Sequence, residues 1–155
     1  MGYLAALTRG GSPSVDLMVG TADGRKTVTI QVKTMIDASF KKGGRVVGWN
    51  WRVGRKALEL CGESVFYAFV DLRGCSGEPS AAMRRPDVYV VPADVVRCNL
   101  ATFPHGSSEP KDVWINIIEN KDDITEELRG LWAENGKWHE AWHFIADRLG
   151  RPSVD

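Results

Sequence analysis

The sequence predicts an α/β fold in which a mixed central β-sheet is flanked by helices. Two alternating runs, residues 15–19 and 28–32, flank an Asp-Gly turn and indicate a β-hairpin. Two nearly continuous apolar runs, residues 65–72 and 87–91, are typical of strands buried on both faces. Helical patterns follow these runs, and a chain that mixes such strands and helices favours a layered α/β architecture.

The length and composition indicate one domain and exclude several classes of protein. We expect the 155 residues to form a single domain, with a core at about 3–100 and a helical part at about 120–150. The formal net charge is zero, so total charge does not require a nucleic-acid partner. The three cysteines form no CxxC pair, and neither a signal-peptide pattern nor a membrane-spanning run is present. We therefore expect a cytoplasmic protein with reduced thiols and no membrane partner.

The first third of the chain contains the hairpin and a basic segment. The turn of the hairpin is predicted at residues 21–24. Residues 34–44 lose the alternation and are basic, so they are expected to form a mobile loop. Residues 45–51 predict another strand with Trp49 and Trp51 on one face, and 55–60 predict a short helix that Gly62 ends.

After residue 92 the chain predicts more helices than strands. Residues 93–100 predict a helix with Pro92 at its first turn, and 113–118 predict a late edge strand. Thr125 is expected to cap a helix over 126–134, which ends at Asn135-Gly136. A last helix is predicted over 137–149.

The hairpin predicts a cluster of polar side chains at one end of the sheet. Successive side chains of a strand point to opposite faces, so Asp16 shares a face with Gln31 and Lys33 of the antiparallel partner. A carboxylate, an amide and an ammonium would then lie together. This cluster is the candidate site of the chain.

Basic residues greatly outnumber acidic ones between residues 25 and 56. Such asymmetry permits a local phosphate-binding surface on a neutral protein, and a solvated basic loop is an equally good interpretation of the charge alone. Trp49 and Trp51 lie within this segment and are candidates for stacking on bases. The candidate DNA-binding residues are Lys41, Lys42, Arg45, Arg52, Arg55 and Lys56.

The motifs Ser14-Val15-Asp16 and Gln31-Val32-Lys33-Thr34 resemble those of the PD-(D/E)XK nuclease superfamily, which has the restriction-endonuclease-like fold. The QVKT motif is similar to a branch that holds intron-type homing endonucleases and uncharacterised bacterial proteins. Residues 66–72 and 86–92 resemble the third and fourth strands of that branch, and the resemblance covers roughly residues 3–96.

This resemblance implies Mg²⁺-dependent or Mn²⁺-dependent hydrolysis of DNA phosphodiesters. Asp16 would be the main metal ligand, Gln31 a neutral ligand, and Lys33 the group that stabilises charge or positions water. Two copies are expected to pair where both strands are cut, with the Trp-rich C-terminal segment as the contact.

The sequence departs from the family at two points. Gln31 replaces the usual acid, and no acidic residue is found on a helix before the first strand. Glu59 and Asp71 are candidate substitutes for that acid. These departures keep open a second interpretation, a non-catalytic module on the same fold that binds nucleic acid or a protein.

Residues 139–143 match HExxH, the pattern of zinc metalloproteases. A catalytic zinc site needs a third protein ligand, and His105 is the one further histidine. We therefore favour an amphipathic helix with His139 and His143 on its flank. That helix would bury Trp138, Trp142, Ile145 and Leu149.

Overall fold

Nine strands and two α-helices form the described part of the fold. The computed structural model describes residues 2–8, 15–73, 85–102, 113–124, 130–132 and 136–150. In chain order the elements are β1 (Tyr3–Leu7), β2 (Leu17–Thr21), β3 (Thr27–Met35), β4 (Ser39–Lys42), β5 (Arg45–Arg52), a 3-10 helix (Arg55–Leu58), β6 (Val65–Asp71), β7 (Asp87–Pro92), α1 (Ala93–Thr102), β8 (Trp114–Ile118), a 3-10 helix (Lys121–Asp123), β9 (Leu131–Trp132) and α2 (His143–Leu149).

The central sheet has five strands in the order β1-β2-β3-β6-β7. Strands β3 and β6 are parallel and the other neighbours antiparallel, so the sheet is mixed, as the sequence predicts. The predicted hairpin is formed by β2 and β3, with Leu17 opposite Ile30 and Val19 opposite Val28. Gly24 has a φ of 70°, which glycine adopts without strain, so the Asp-Gly signal identified the turn correctly.

A second sheet, in the order β4-β5-β8-β9, lies where the sequence predicted a loop and an edge strand. The mobile loop expected at 34–44 is wrong, because β3 runs to Met35 and β4 pairs with β5. Gly43 and Gly44 have φ values of 59° and 81°, which suit a two-residue hairpin turn. The edge position expected for residues 113–118 is also wrong, because β8 lies between β5 and β9.

Each face of the central sheet carries its own apolar cluster. One face, with Val28 and Ile30, packs against Ile145 and Leu149 of α2. The other face, formed largely by β6 and β7, packs against α1 and the second sheet. Its buried residues include Tyr67, Phe69, Tyr89, Val91, Trp51, Ile115, Val96 and Leu100. Helices therefore flank both faces of the sheet, which confirms the predicted fold class.

The helix after β7 forms as predicted, and the shorter segment at 55–60 forms in part. α1 begins at Ala93, directly after Pro92. The segment predicted as a helix at 55–60 is a 3-10 helix that ends at Leu58, so Gly62 is not its cap. Neither α-helix of the described ranges is long and apolar enough to cross a membrane.

The described parts of the C-terminal segment differ from the two helices that the sequence predicted. The helix expected over 126–134 is wrong at Leu131–Trp132, which form β9, and its expected cap Thr125 lies outside the described residues. The last helix begins at His143 rather than at 137, because Glu140 has a φ of 49° that a right-handed helix does not allow. The residues before it follow the edge of β7, where the Val90 N–H donates to the Trp138 carbonyl at 2.8 Å.

Candidate functional site

The hairpin brings Asp16 and Gln31 into direct contact. Asp16 immediately precedes β2, and its N–H donates to the carbonyl of Ile30 at 3.0 Å. Its carboxylate Oδ2 accepts hydrogen bonds from the Val32 N–H at 2.7 Å and from Nε2 of Gln31. The antiparallel pairing therefore fixes the carboxylate on the face of β3 that carries Gln31.

The amide of Gln31 links this carboxylate to a backbone carbonyl. Its Nε2 lies 3.4 Å from the Val32 oxygen while it donates to Asp16 Oδ2. Among the described residues, Asp16 Oδ1 accepts no hydrogen bond. The Nε2 group of Gln31 thus lies between Asp16 Oδ2 and the Val32 carbonyl oxygen. Asp16 Oδ1 stays available beside them.

A small cationic cavity adjoins this cluster. Its volume is about 140 Å³, and it lies between β3 and the segment that follows β5. Lys33, Arg55 and Lys56 line it, together with Gln31, and the described lining residues include no carboxylate. The other lining residues are Val53, Gly54, Ala57, Leu60 and Tyr67. The cavity is therefore positively charged and suited to an anion.

Tyr67 is a lining residue that the sequence interpretation missed. It lies opposite Gln31 on β6 and stacks on Phe69, with ring centroids 5.3 Å apart. Burial raises the pKa of Tyr67 to about 12, so the phenol stays protonated at neutral pH. The apolar run at 65–72 predicted only that Tyr67 would be buried. Its position beside Gln31 follows from the register between β3 and β6, which the sequence does not give.

The six basic candidates form two groups rather than one surface. Arg45 and Arg52 stand at opposite ends of β5, about 23 Å apart at the usual rise of a strand. Lys41 and Lys42 lie beside Arg45, whereas Arg55 and Lys56 lie near Arg52 and line the cationic cavity.

Arg45 is already engaged within the protein. Its Nη2 lies 2.8 and 2.9 Å from the two carboxylate oxygens of Asp123, which is buried.

The two tryptophans proposed for base stacking have different environments. Trp51 is fully buried, and its Nε1 donates to the carbonyl of Val70 at 3.0 Å, so its predicted availability for stacking is wrong. Trp49 is partly exposed and contacts Tyr89, with ring centroids 5.1 Å apart. Of the tryptophans expected at a contact between two copies, Trp138 is buried and Trp142 is exposed.

Neither Glu59 nor Asp71, the two candidates for the acidic position of the family, joins the cluster. Asp71 is buried at the end of β6, opposite Met35, and accepts hydrogen bonds from the backbone N–H groups of Ala38 and Arg73 at 3.2 and 2.9 Å. Its role is to hold two backbone segments. Glu59 is exposed and does not line the cationic cavity.

The HExxH pattern does not form a zinc site. His139 precedes α2, whereas His143 is the first residue of that helix, so the two imidazoles do not share a helical face. The expectation that both lie along one amphipathic helix is therefore also wrong. His139 Nε2 lies 3.1 Å from Asp87 Oδ1. The described ranges contain no group of three His, Cys, Asp or Glu side chains that could hold a metal.

No protein family model matches the chain, and no curated protein does. One solved structure that is similar is that of the bacterial homing endonuclease I-Ssp6803I. It is 17% identical with a TM-score of 0.47, and the alignment covers 100% of this chain and 85% of that one. At this TM-score the match is not evidence of function.

Proposed function

We propose that the chain is a nuclease-like domain over residues 1–155 that hydrolyses DNA phosphodiesters with Mg²⁺ or Mn²⁺. The observation that supports this most is the contact of Asp16 with Gln31 beside a cavity that holds Lys33. Metal ligands and a phosphate site are both needed for such a reaction. The sequence motifs that resemble the PD-(D/E)XK superfamily supply the same residues.

The cationic cavity suits a phosphate group of the substrate. Lys33, Arg55 and Lys56 contribute three positive charges around a volume of about 140 Å³. Ammonium and guanidinium groups bind phosphate oxygens through charge-assisted hydrogen bonds. Lys41 and Lys42 are too far along the β4–β5 hairpin to share that phosphate, and we assign them to the DNA backbone beyond the site, whereas Arg45 beside them is held by Asp123.

The oxygens around Gln31 fit a hard divalent cation. Mg²⁺ commonly takes one or two protein carboxylates and completes its shell with water and substrate phosphate. Asp16 Oδ1, Gln31 Oε1 and the Val32 carbonyl would be the protein ligands. To bind the cation, the Gln31 amide must rotate so that Oε1 replaces Nε2 beside Asp16. A bound metal would polarise the phosphoryl oxygen and generate the nucleophilic water.

Lys33 is the residue that we assign to the developing charge. It lies on the same face of β3 as Gln31, two residues along the strand. An ammonium at this place stabilises the extra negative charge on phosphate in the transition state, or holds the attacking water.

A second candidate function is a non-catalytic module that binds nucleic acid. The observation that favours it is that Gln31 Nε2 and the Val32 N–H both donate to Asp16 Oδ2, so two donors occupy one of the carboxylate oxygens that a metal would need. The neutral Gln31 also lowers the charge that would attract a metal. Such a module would use the same cationic cavity to hold phosphate.

Cleavage of supercoiled plasmid in Mg²⁺, Mn²⁺ or EDTA distinguishes the two functions. We expect metal-dependent nicking, and Asp16→Asn and Lys33→Met should each slow it by about 10²–10³-fold because each removes charge stabilisation. Lys137→Met, which removes an exposed ammonium far along the chain, is the matched control, and circular dichroism checks the fold.

Unchanged cleavage by Lys33→Met would refute the role of this lysine. DNA binding in EDTA with no cleavage in either metal would establish the second candidate instead. A wild-type protein that neither binds nor cleaves DNA would refute both functions.

A further inference from the structure

A second cavity of about 230 Å³ lies at the β7 side of the central sheet. Tyr89 of β7, Phe69 of β6 and Lys33 of β3 are neighbours in register, so this cavity lies about 10 Å from Lys33 on the same face. The two cavities share no lining residue. The lining residues are Trp49, Arg73, Asp87, Tyr89, Glu119, Gly136 and His139.

Three rings form a curved aromatic wall. The centroid of Tyr89 lies 5.1 Å from that of Trp49 and 5.3 Å from that of His139. The ring planes are inclined by 41° and 56°. Rings inclined in this way cannot hold a planar base between two parallel faces, whereas a rounded cation is attracted to the face of each ring.

With His139 neutral, the charged residues that line this cavity, Arg73, Asp87 and Glu119, have a negative sum. Arg73 is neutralised by an ion pair with Asp87, and the same carboxylate is bonded to His139 at 3.1 Å. The Glu119 side chain is exposed, and within the described part of the chain its carboxylate makes no hydrogen bond or ion pair. One uncompensated negative charge therefore stands at the rim of the aromatic wall.

The titration of Tyr89 is consistent with this electrostatic environment. Burial raises the pKa of Tyr89, and the charges of Asp87, Asp71 and Glu119 raise it further. The phenol therefore stays neutral at pH 8 and adds no charge of its own to the cavity.

We propose that this cavity binds an organic cation, an ammonium or guanidinium head group, with Trp49 and Tyr89 as its aromatic surfaces and Glu119 as its counter-ion. The volume of the cavity suits a head group of a few heavy atoms, and the paired Arg73 leaves the wall without a competing free charge. This proposal does not depend on hydrolysis of DNA. The cation is either a free amine or the end of a side chain on a partner polypeptide.

Nuclear magnetic resonance titrations at pH 8 test the proposal with two probes. Tetramethylammonium chloride represents a free quaternary amine, N-acetyl-lysine methylamide represents a side chain, and sodium chloride at equal ionic strength is the reference. We expect saturable shifts of the Trp49 indole N–H and the Gly136 amide. A response to one probe alone identifies the source of the cation.

Glu119→Gln removes the counter-ion without changing the shape of an exposed side chain. It should weaken binding about threefold, as for an exposed ion pair, and Trp49→Phe should weaken it through the smaller π-surface. Glu59→Gln is the matched control, an exposed carboxylate outside both cavities, and should bind as the wild type does.

Three results would overturn the proposal. They are the absence of saturation with both probes, unchanged binding by Glu119→Gln, and a preference of the cavity for adenosine or cytidine over both cations. The last result would identify the cavity as a base-binding site.

Discussion

Two cavities on one face of the central sheet differ in almost every property. The cavity at β3 is lined by three cationic side chains and no described carboxylate, whereas the cavity at β7 has an aromatic wall and a free carboxylate at its rim. Both take residues from β5 or the segment after it. Two strands of one sheet, separated only by β6, therefore present opposite charges within about 10 Å of each other.

The boundary between the cavities is the pair of Trp51 and Phe69. Both side chains are fully buried, and their ring centroids lie 5.2 Å apart. Phe69 occupies the register position between Lys33 and Tyr89. This dry aromatic pair separates the two cavities physically, and its low dielectric constant leaves the charges of each cavity little screened from those of the other.

Truncating Trp51, which lies between the two cavities, should have the largest effect on the free energy of unfolding. Trp51→Ala deletes a fully buried indole and its hydrogen bond to the Val70 carbonyl, so we expect the free energy of unfolding to fall by about 3–5 kcal/mol. Urea unfolding followed by circular dichroism measures this change. Trp114→Ala, in which the side chain is 40% exposed, should cost much less. Equal losses in the two variants would contradict a central role for Trp51.

A smaller effect should distinguish the two basic groups. Replacing Arg55 and Lys56 by alanine removes two cations from the cavity at β3, whereas the same change at Lys41 and Lys42 removes two cations from the β4–β5 turn. We expect both variants to bind DNA more weakly than the wild type, with the slope of log K against log salt falling by about 0.9 for each lost phosphate contact. The first variant alone should also lose cleavage, because its cations line the cavity assigned to the reacting phosphate. Fluorescence anisotropy at several salt concentrations and plasmid cleavage test this, and equal cleavage by the two variants would refute the assignment.

The smallest expected effect is on the stability of the fold at acidic pH, through Asp87 in the cavity at β7. Burial alone would raise the pKa of Asp87, but hydrogen bonds from Arg73 and His139 outweigh burial and hold it below its ordinary value of 3.8. Because the folded pKa is the lower one, this carboxylate stabilises the fold above the unfolded value, and that contribution disappears as the pH falls through the folded pKa.

Asp87→Asn should therefore flatten the loss of stability below about pH 4. Urea midpoints measured at a series of acidic pH values provide the test, with Asp122→Asn, at an exposed carboxylate, as the control. A midpoint that falls with pH as steeply in Asp87→Asn as in the wild type would contradict this role of Asp87.

The hairpin and the position of Asp16 beside Gln31 could be predicted from the sequence because both depend on local signals. The Asp-Gly turn sets the register, and the alternation of a strand then determines which side chains share a face. The buried strands β6 and β7 were equally clear, since their apolar runs have few competing structures. These elements supplied the fold class and the core of the candidate site.

The second sheet could not be predicted in the same way. Residues 34–44 were predicted as a loop because the polar residues of β4 pair with β5 through backbone hydrogen bonds that leave no apolar period. β9 has only two residues, too few for any pattern. The residues before α2 show a helical spacing of apolar side chains, but pairing with the edge of β7 prevails over that local preference.

The parallel pairing of β3 with β6 has a consequence for folding. Parallel neighbours require a crossover, and residues 36–64 provide it, including β4, β5 and the 3-10 helix. That crossover supplies Arg55 and Lys56 to the cavity at β3 and Trp49 to the cavity at β7, and it carries Trp51, which lies between them. Neither cavity can be complete before this long loop closes, which is a slow type of step. Both sites should therefore appear together, late in refolding, after the hairpin has already formed.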